Sequence, residues 1–374
     1  MLALITGWTF AVHSSCCAEV GASWTIQLSS IGNEAADSTG QAAIGHVVRD
    51  VAASPDGRWI AAIVGHRGRS CESRPDDLFL VPVNGSIAQA KSLRLSRCAY
   101  ARTSKPLHWS PGASHLAIVL GGYVTVLTAA GRLECQIGPV ASFAGFVDDE
   151  RMIAAMPRGS GPGPFSTRPA PVSIYTPTCE LKATWQYPRK ISRIVVAGPP
   201  AIGMVYEEDG SAVLLNPLTG TVLNELPKMA YNPMFLFGDR GRVLCVAHQP
   251  AGKFNVQMSC YESSRGSEVL PRPAVRNGAP FDVAWDSPVL VATDGYLTDV
   301  PFSFDTRLKT EAWIVWDMRR GACLARIKQR KQMQSFKDQG TAAKATLLPN
   351  GQRLAIGADD TLSLFNIAAP AEPD

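Results

Sequence analysis

The tetrapeptide Ser-Pro-Asp-Gly at 54–57 constrains what this chain can fold into more than any other feature. It separates two apolar runs, and proline, aspartate and glycine in this order favour a tight reversal between antiparallel strands. A third apolar run at 78–83 reaches Asn84-Gly85, a dipeptide typical of two-residue hairpins, and a fourth run follows at 91–95. Four segments joined by turns predict one antiparallel sheet.

The same pattern of strands and turns recurs six more times. The later units are expected to begin with the segments 107–113, 143–147, 193–196, 234–237, 281–285 and 345–348. Successive units are spaced by roughly 35 to 65 residues, which is the range of propeller blades that carry loop insertions. The seventh unit has only three strands, so the segment 23–28 is expected to supply its outer strand.

These observations predict an all-β fold, a seven-bladed β-propeller of four-stranded antiparallel blades. The ring is expected to be closed by an N-terminal strand that completes the last blade, and the alternative for 24–28 is a loose extension of the terminus. The 32 glycines and 27 prolines supply the turns that many short strands need. A single propeller domain is expected over 23–368, followed by a C-terminal tail at 369–374.

The first residues of the chain have a different character. An apolar run at 2–12 precedes small residues at 14–18, which resembles the hydrophobic core and cleavage region of a secretory signal, although no basic residue stands before it. The run is too short to span a bilayer. We therefore expect 1–20 to be a signal peptide or an apolar tail. The expected location is periplasmic or secreted, and the alternative is cytoplasmic.

Cysteine spacing suggests specific disulfide partners among the nine cysteines. A turn near 252–253 would place Cys245 and Cys260 directly opposite each other on neighbouring strands, within bonding reach. Cys71 and Cys98 fall in two loops on the same side of the expected fold. The alternative is that all the cysteines are small buried hydrophobic residues.

One strand end resembles a known superfamily. Ile-Val-Trp-Asp at 314–317, followed by Arg320-Gly321, looks like the strand-end signature of WD40 repeats, and the turn at 54–57 looks like the first turn of WD40 and TolB-like propellers. The resemblance covers about residues 23–368 and implies a divergent propeller of bacterial type, because only one unit ends in a clear Trp-Asp pair. For function it implies a scaffold, a sensor or an enzyme, since the fold hosts all three.

The chain carries no recognisable catalytic motif, and the sequence predicts no catalytic, metal-binding or cofactor-binding residues. Its six histidines do not cluster at ligand spacing. His46 and His108 fall near the starts of innermost strands, and Asp50 and Asp282 lie on such strands, where a propeller could bring them together. We expect these four residues to have structural roles, satisfied by neighbouring backbone groups.

The long insertions offer a more specific prediction. In a four-stranded blade, the connections after the second strand and those between blades leave from one face, which we name the long-loop face. All the long insertions belong to this group, at 66–76, 99–105, 157–171, 295–310 and 328–342. They combine basic and aromatic residues, a composition that suits an anionic or peptide-like partner. The candidate partner-binding residues are Arg67, Arg69, Arg74, Arg168, Tyr296, Phe302, Arg307 and Lys309.

The function expected from these observations is a non-catalytic scaffold for protein–protein interactions, which binds a protein or peptide partner on the long-loop face. The net charge of +4 is too small to indicate nucleic-acid binding. We expect a monomer without a transmembrane span or a cofactor. The alternatives are a propeller enzyme, either a hydrolase or a subunit of a dehydrogenase complex with its site at the channel mouth, and a TolB-like assembly or sensor protein of the cell envelope. For any one basic residue, the alternative is a solvated charged surface.

Overall fold

Seven four-stranded antiparallel sheets make up the protein, as the sequence predicts. They are seen in a computed structural model that describes residues 19–31, 46–66, 75–96, 105–140, 142–155, 170–189, 191–197, 202–207, 210–226, 234–248, 257–263, 269–270, 280–299, 306–328 and 344–367. Within these ranges the chain has no α-helix, and its helical segments are the 3-10 turns Leu28–Ser30 and Ile87–Gln89. Neither has the length that crossing a bilayer requires.

Blades 1 to 6 are each one meander of four strands that run in order from the centre of the ring outwards, and blade 7 combines three consecutive strands with β1. The first strand of the chain is β1, Ala22–Gln27. Blade 1 contains β2 His46–Ala53, β3 Trp59–His66, β4 Asp77–Pro82 and β5 Lys91–Arg94. Blade 2 contains β6 Leu107–Trp109, β7 His115–Leu120, β8 Tyr123–Thr128 and β9 Leu133–Ile137. Blade 3 contains β10 Ser142–Phe146, β11 Met152–Ala155, β12 Ala170–Tyr175 and β13 Leu181–Tyr187.

The remaining blades follow the same order. Blade 4 contains β14 Ile191–Ala197, β15 Ile202–Glu207, β16 Ala212–Leu215 and β17 Val222–Leu226. Blade 5 contains β18 Met234–Gly238, β19 Val243–His248, β20 Gln257–Glu262 and β21 Val269–Leu270. Blade 6 contains β22 Pro280–Val283, β23 Val289–Asp299, β24 Thr306–Asp317 and β25 Ala322–Lys328. Blade 7 contains β26 Lys344–Leu347, β27 Arg353–Ala358, β28 Thr361–Asn366 and, outermost, β1.

The blades form a closed ring. The first strand of each blade contacts the first strand of the next, and β26 of blade 7 contacts β2 of blade 1. Strand β1 pairs antiparallel with β28, from Ala22 opposite Phe365 to Gln27 opposite Thr361. The N-terminal strand therefore completes the last blade, as predicted, and the two ends of the domain hold each other in place.

The apolar core is divided among the blade junctions. Seven clusters of buried side chains lie one at each of the seven junctions. At the junction that closes the ring, Ile26 and Leu364 of blade 7 pack in the same cluster as Val48 and Ile60 of blade 1. Full burial of one such aliphatic side chain contributes about 1.5–3 kcal/mol. Each blade is thus held mainly by its two neighbours.

The turn at 54–57 has the chemistry expected of it. The Ser54 hydroxyl donates to an Asp56 carboxylate oxygen at 2.6 Å and accepts from the Trp59 backbone N–H at 2.9 Å. Gly57 has a φ of 69°, in the left-handed region that favours glycine. Serine, aspartate and glycine each fulfil a separate requirement of the turn, which explains why this tetrapeptide is a reliable signal.

Asn84 and Gly85 do not form the two-residue hairpin that was expected. Strand β4 ends at Pro82, β5 begins at Lys91, and the connection contains the turn Ile87–Gln89. The indole N–H of Trp24, from the closing strand, donates to the Val83 carbonyl at 3.1 Å. Gly85, with a φ of 76°, lies against that indole ring, where a Cβ would approach it to 3.4 Å. The connection is longer than predicted because it covers Trp24.

A similar contact recurs at another blade junction. The Trp185 indole of blade 3 donates to the Pro217 carbonyl of blade 4 at 3.0 Å. Gly220, in the same turn, has a φ of 73°, and a Cβ there would lie 2.7 Å from the Trp185 ring. Between blades 2 and 3 a disulfide occupies the corresponding position, from Cys135 on β9 to Cys179 in the turn after β12. These contacts join the outer strands of neighbouring blades.

Two disulfides join pairs of cysteines that are both described, and one of these bonds was expected. Cys245 and Cys260 are directly opposite each other on β19 and β20 and are bonded, as predicted. Both are fully buried. Cys71 and Cys98 lie outside the described residues. The Cys135–Cys179 bond was not predicted from the sequence.

Candidate functional site

The topology places the long connections on one face. Because the four strands of each blade alternate in direction, the chain passes between β3 and β4, β5 and β6, β11 and β12, and β25 and β26 on the long-loop face. Most of these connecting residues lie outside the described residues, and so do five of the candidate residues, namely Arg67, Arg69, Arg74, Arg168 and Phe302. The other three candidates lie on strands of blade 6.

Tyr296 is on β23, and Arg307 and Lys309 are on β24. The sequence predicted a loop insertion over 295–310, and this is wrong for most of the segment. Both strands continue through it, which leaves only 300–305 outside the described residues. The register places Tyr296 directly opposite Lys309 and Thr298 directly opposite Arg307.

These two strands extend beyond their own sheet. At 11 and 12 residues, β23 and β24 are the longest strands that the structure describes. The inner neighbour β22 pairs with β23 only as far as Ala292, and the outer neighbour β25 pairs with β24 only as far as Ala312. Beyond these residues no other described strand pairs with the ribbon formed by 295–299 and 306–310, which we name the arm.

The arm has a local explanation in the sequence. Its strands contain Thr298, Thr306 and Thr310, and β-branched residues favour extended backbone. A bulge between Asp294 and Gly295 separates it from the blade, and bulges bend and twist a strand pair. With no further described strand at its edges, a two-stranded ribbon of this kind can accept a further strand from a partner.

A second candidate site surrounds the axis of the ring, where polar side chains lie on the innermost strands. Asp282 on β22 is 8% exposed. One carboxylate oxygen accepts from the Thr346 hydroxyl at 2.8 Å and from the Leu347 backbone N–H at 2.9 Å, and the other forms an ion pair with Lys105. The Thr346 hydroxyl in turn accepts from the Ala53 backbone N–H at 3.2 Å. Blades 1, 2, 6 and 7 are therefore joined by one network.

Asp50 on β2 has a comparable role. It is 5% exposed, and its carboxylate accepts from the Leu107 backbone N–H of blade 2 at 3.2 Å. Burial raises the pKa of the Asp50 carboxyl from 3.8 to about 6, while the positive charges of Lys105 and Lys344 and the backbone hydrogen bonds limit the rise. Like Asp282, Asp50 uses its carboxylate to satisfy a backbone group on the next blade.

His108 on β6 packs its ring edge-to-face against Phe143 at a centroid distance of 5.0 Å. Burial lowers the pKa of the imidazole from 6.5 to about 4, and a hydrogen bond with the Lys105 backbone opposes this while the Lys105 charge adds to it. Its Nε2 atom has no hydrogen-bond partner in the part of the chain that the structure describes. The imidazole is therefore neutral at physiological pH.

His46, the fourth residue singled out, lies apart at the first position of β2. Its Nδ1 atom is 4.0 Å from an Asp360 carboxylate oxygen of blade 7. The described residues contain no group of three or more histidine, cysteine, aspartate or glutamate side chains that could hold a metal ion. Lys105 was expected among the basic residues of the long-loop face, and its place at the axis, like those of Lys344 and Thr346, was not predicted, because nothing in a single sequence marks residues that meet only across the ring.

The axial residues connect blades. The buried carboxylates of Asp50 and Asp282 each accept a backbone N–H of the following blade, which edge strands otherwise leave unpaired. The carboxylates of Asp50 and Asp282 are thus occupied by hydrogen bonds between blades, and the His108 imidazole is neutral and half-buried. The arm is the feature of the described residues that best fits recognition of another molecule.

Comparison with known proteins supports the fold. No family model matches the sequence, and no curated protein matches it. Matching solved structures are numerous, with 1253 chains. One is a chain in the crystal structure of the mitotic checkpoint complex, with a TM-score of 0.56 and 11% sequence identity over 94% of this chain and 96% of that chain. A similarity at this identity shows a shared fold and leaves the function open.

Proposed function

We propose that this seven-bladed propeller is a non-catalytic, WD40-like scaffold for protein–protein interactions, which binds its partner on the long-loop face through the arm of blade 6. The observation that carries the proposal is the extension of β23 and β24 beyond the strands on either side of them. A blade needs no such ribbon for its own packing, because the seven core clusters lie between the sheets. The arm is thus additional structure that presents an interaction surface.

The chemistry of the partner follows from the composition of this face. The arm carries Arg307 and Lys309, and the sequence adds Arg67, Arg69, Arg74 and Arg168 in connections that leave from the same face. Cationic groups of this kind accelerate association with a negatively charged surface and select against basic partners. We therefore propose a protein or peptide of anionic character, which binds a monomeric propeller.

The axial network supports a non-catalytic role. An enzyme with its site at the channel mouth would need groups that are accessible and free to exchange protons. Asp50 and Asp282 are instead buried and hydrogen-bonded to the next blade. These contacts favour the scaffold over a hydrolase or a dehydrogenase subunit.

The disulfides support a location outside the cytoplasm, in the periplasm or the extracellular medium. Disulfides persist in oxidising compartments and are rare where thiols are kept reduced. The bond between Cys135 and Cys179 joins two blades, and the bond between Cys245 and Cys260 joins two strands of one sheet. With the apolar run at 2–12, they favour an exported propeller of TolB-like, bacterial type. Fusion of a secretion reporter after Gly21 tests export, and a reporter retained in the cytoplasm contradicts it.

Charge reversal in the arm tests the binding face. Tagged protein is used for affinity capture from extracts of the native host, in wild type and in the Arg307→Glu/Lys309→Glu variant. The matched control is Arg132→Glu/Lys182→Glu, which makes the same charge change at the outer rim, where the two side chains are 78% and 49% exposed. We expect the arm variant to lose the captured partner and the control to retain it. Equal recovery with both variants would contradict the proposed face.

A further inference from the structure

The face opposite the long-loop face carries the turns that join the first strand of a blade to the second and the third to the fourth. At the junction of blades 5 and 6, two of these turns are rich in arginine. Arg240 and Arg242 lie between β18 and β19, and Arg319 and Arg320 lie between β24 and β25. Their side chains are 45–61% exposed. The junction therefore presents four guanidinium groups to solvent.

The carboxylates that pair with these arginines are less exposed than the guanidinium groups. The side chain of Asp239 is 2% exposed, that of Asp317 14% and that of Asp286 34%. Among the residues that the structure describes, no other carboxylate forms an ion pair with the four arginines. Because four positive groups stand over three negative ones, the surface at this junction is positive.

Two of the arginines share a single carboxylate. Nη2 of Arg242 donates to Oδ1 of Asp239 at 2.7 Å, and Nη2 of Arg319, from the next blade, donates to Oδ2 at 3.1 Å. Nε of Arg242 also donates to the Asp239 backbone carbonyl at 3.2 Å. A guanidinium has five N–H donors, so most of the donors of this pair are left for another acceptor. One positive charge of the pair is left uncompensated.

The turn that carries Asp239 is fixed against blade 6. Asp239 and Arg240 have φ values of 48° and 53°, in the left-handed region that residues other than glycine rarely adopt. Their backbone N–H groups donate to the carbonyls of Ala284 at 2.8 Å and Trp285 at 2.6 Å. Nε of Arg240 donates to an Asp286 carboxylate oxygen at 2.6 Å. The arginines are therefore held in position before any ligand binds, which lowers the cost of binding.

We propose that Arg242 and Arg319 form a binding site for a phosphate-type oxyanion, with Arg240 adding positive charge beside it. A carboxylate has two oxygens, which one guanidinium fork can occupy, whereas a tetrahedral dianion offers oxygens to two forks in different planes. It also carries the charge that balances the uncompensated pair. The site lies on the face away from the arm, so it does not depend on the proposed partner-binding face.

NMR of the full-length chain with ¹⁵N-labelled arginine tests the site, because each guanidinium gives its own Nε–Hε signal. Inorganic phosphate is titrated at constant ionic strength and at a pH where the dianion predominates, and acetate serves as the control anion. The signals of Arg242 and Arg319 should shift to saturation, with phosphate bound at least about tenfold more tightly than acetate. The signal of Arg132, which is exposed and paired with Glu134, should not saturate.

Substitutions separate this site from a general attraction of anions. Arg242→Gln and Arg319→Gln should each weaken phosphate binding on the order of tenfold, and Arg319→Lys should weaken it less. The matched control is Arg320→Gln, which removes the same charge at the neighbouring position and should have little effect. Arg242 bonds only within its own turn, so its variant tests the site without removing a contact between blades. Thermal melts check that each variant is folded.

A second probe, O-phospho-L-serine, distinguishes the source of the phosphoryl group. If this monoester binds at least as tightly as inorganic phosphate, the site recognises a phosphoryl group carried on a larger molecule. If it binds more weakly, the ligand is the free ion. The proposal is overturned if phosphate causes no saturable shift, if phosphate and acetate bind equally, or if Arg320→Gln weakens binding as much as Arg319→Gln and Arg242→Gln do.

Discussion

The indole Nε1–H of Trp24 donates to the carbonyl oxygen of Val83 at 3.1 Å, which joins the N-terminal strand in blade 7 to blade 1. The same ring packs against the apolar cluster at this junction. A propeller opens most easily where its ring is closed, since only there does the chain fail to pass from blade to blade in sequence order. This contact is therefore important for the stability of the whole ring.

Replacing Trp24 with alanine should lower the free energy of unfolding by about 3 kcal/mol, because both the hydrogen bond and the packing of the ring are lost. Denaturant titration followed by circular dichroism measures the change. Thr25→Ala, one residue away on the exposed side of the same strand, should cost less than about 1 kcal/mol. Equal losses in the free energy of unfolding for the two substitutions would mean that the Trp24 contacts do not stabilise the closed ring.

The Cys135–Cys179 bond should be the first of the two described disulfides to open. Its cysteines are half-buried at the rim, whereas Cys245 and Cys260 are fully buried. Peptide mapping after graded reduction should show free thiols at 135 and 179 at lower reductant concentrations. The Cys135→Ala/Cys179→Ala variant should lose about 3 kcal/mol of stability. A reduced Cys245–Cys260 pair beside an intact Cys135–Cys179 bond would contradict this order.

The raised pKa of Asp50 predicts a pH dependence of stability. The folded value is about 6, above the ordinary 3.8, so between these values the folded state holds a proton that the unfolded state has lost. Stability from this group is therefore present below pH 4 and lost as the pH rises through 6. Asp50→Asn, which keeps an acceptor for the Leu107 N–H, should gain stability relative to wild type over that range, by up to about 3 kcal/mol. Urea titrations at pH 4 and pH 7 measure the free energy of unfolding of both proteins. If Asp50→Asn differs from wild type by the same amount at the two pH values, the prediction is wrong.

The lowered pKa of His108 predicts a pH dependence of stability with the opposite sign to that of Asp50. Its folded pKa is about 4, below the ordinary 6.5, so the unfolded state takes up a proton first as the pH falls. The stability from this group is present above pH 6.5 and is lost as the pH falls through 4. His108→Gln should therefore reduce the acid sensitivity of the protein between pH 6.5 and 4. If the variant and wild type lose stability equally in that range, the imidazole is not held neutral in the fold.

Removing the Asp282 carboxylate should be costly. Asp282→Ala leaves Lys105 without its ion-pair partner and the Leu347 backbone N–H without its acceptor, at a cost of about 3–5 kcal/mol. Asp282→Asn should cost less, since the amide oxygen can still accept from Leu347. Thermal melts of the two variants compare these costs. An alanine variant as stable as the asparagine variant would show that the network does not join the inner strands.

Local signals predicted the features that depend on neighbours in sequence. The turn at 54–57 could be assigned because its hydrogen bonds all lie within a few residues, from Ser54 to Trp59. Cys245 and Cys260 could be paired because one hairpin brings them together. The closing strand was assigned by elimination, since the last unit lacked a fourth strand and only 23–28 remained.

Features that depend on contacts between blades were not predicted. Cys135 and Cys179 are 44 residues apart and meet only because blades 2 and 3 pack at the rim. The arm lies in 295–310, which was predicted to be a loop insertion, whereas its pairing is set by a register that continues past the bulge at Gly295. A single sequence contains no direct record of such long-range register.

The central claim, that the arm is where the propeller binds its partner, is tested most directly by site-specific photo-crosslinking. A photoreactive amino acid is placed at Tyr296 in the arm and, in a second protein, at Leu133, which is 61% exposed on the outer strand of blade 2. After irradiation in the native host, we predict a covalent adduct with a partner protein from position 296 and none from position 133. The same adduct from position 133, or no adduct from position 296, would contradict the claim.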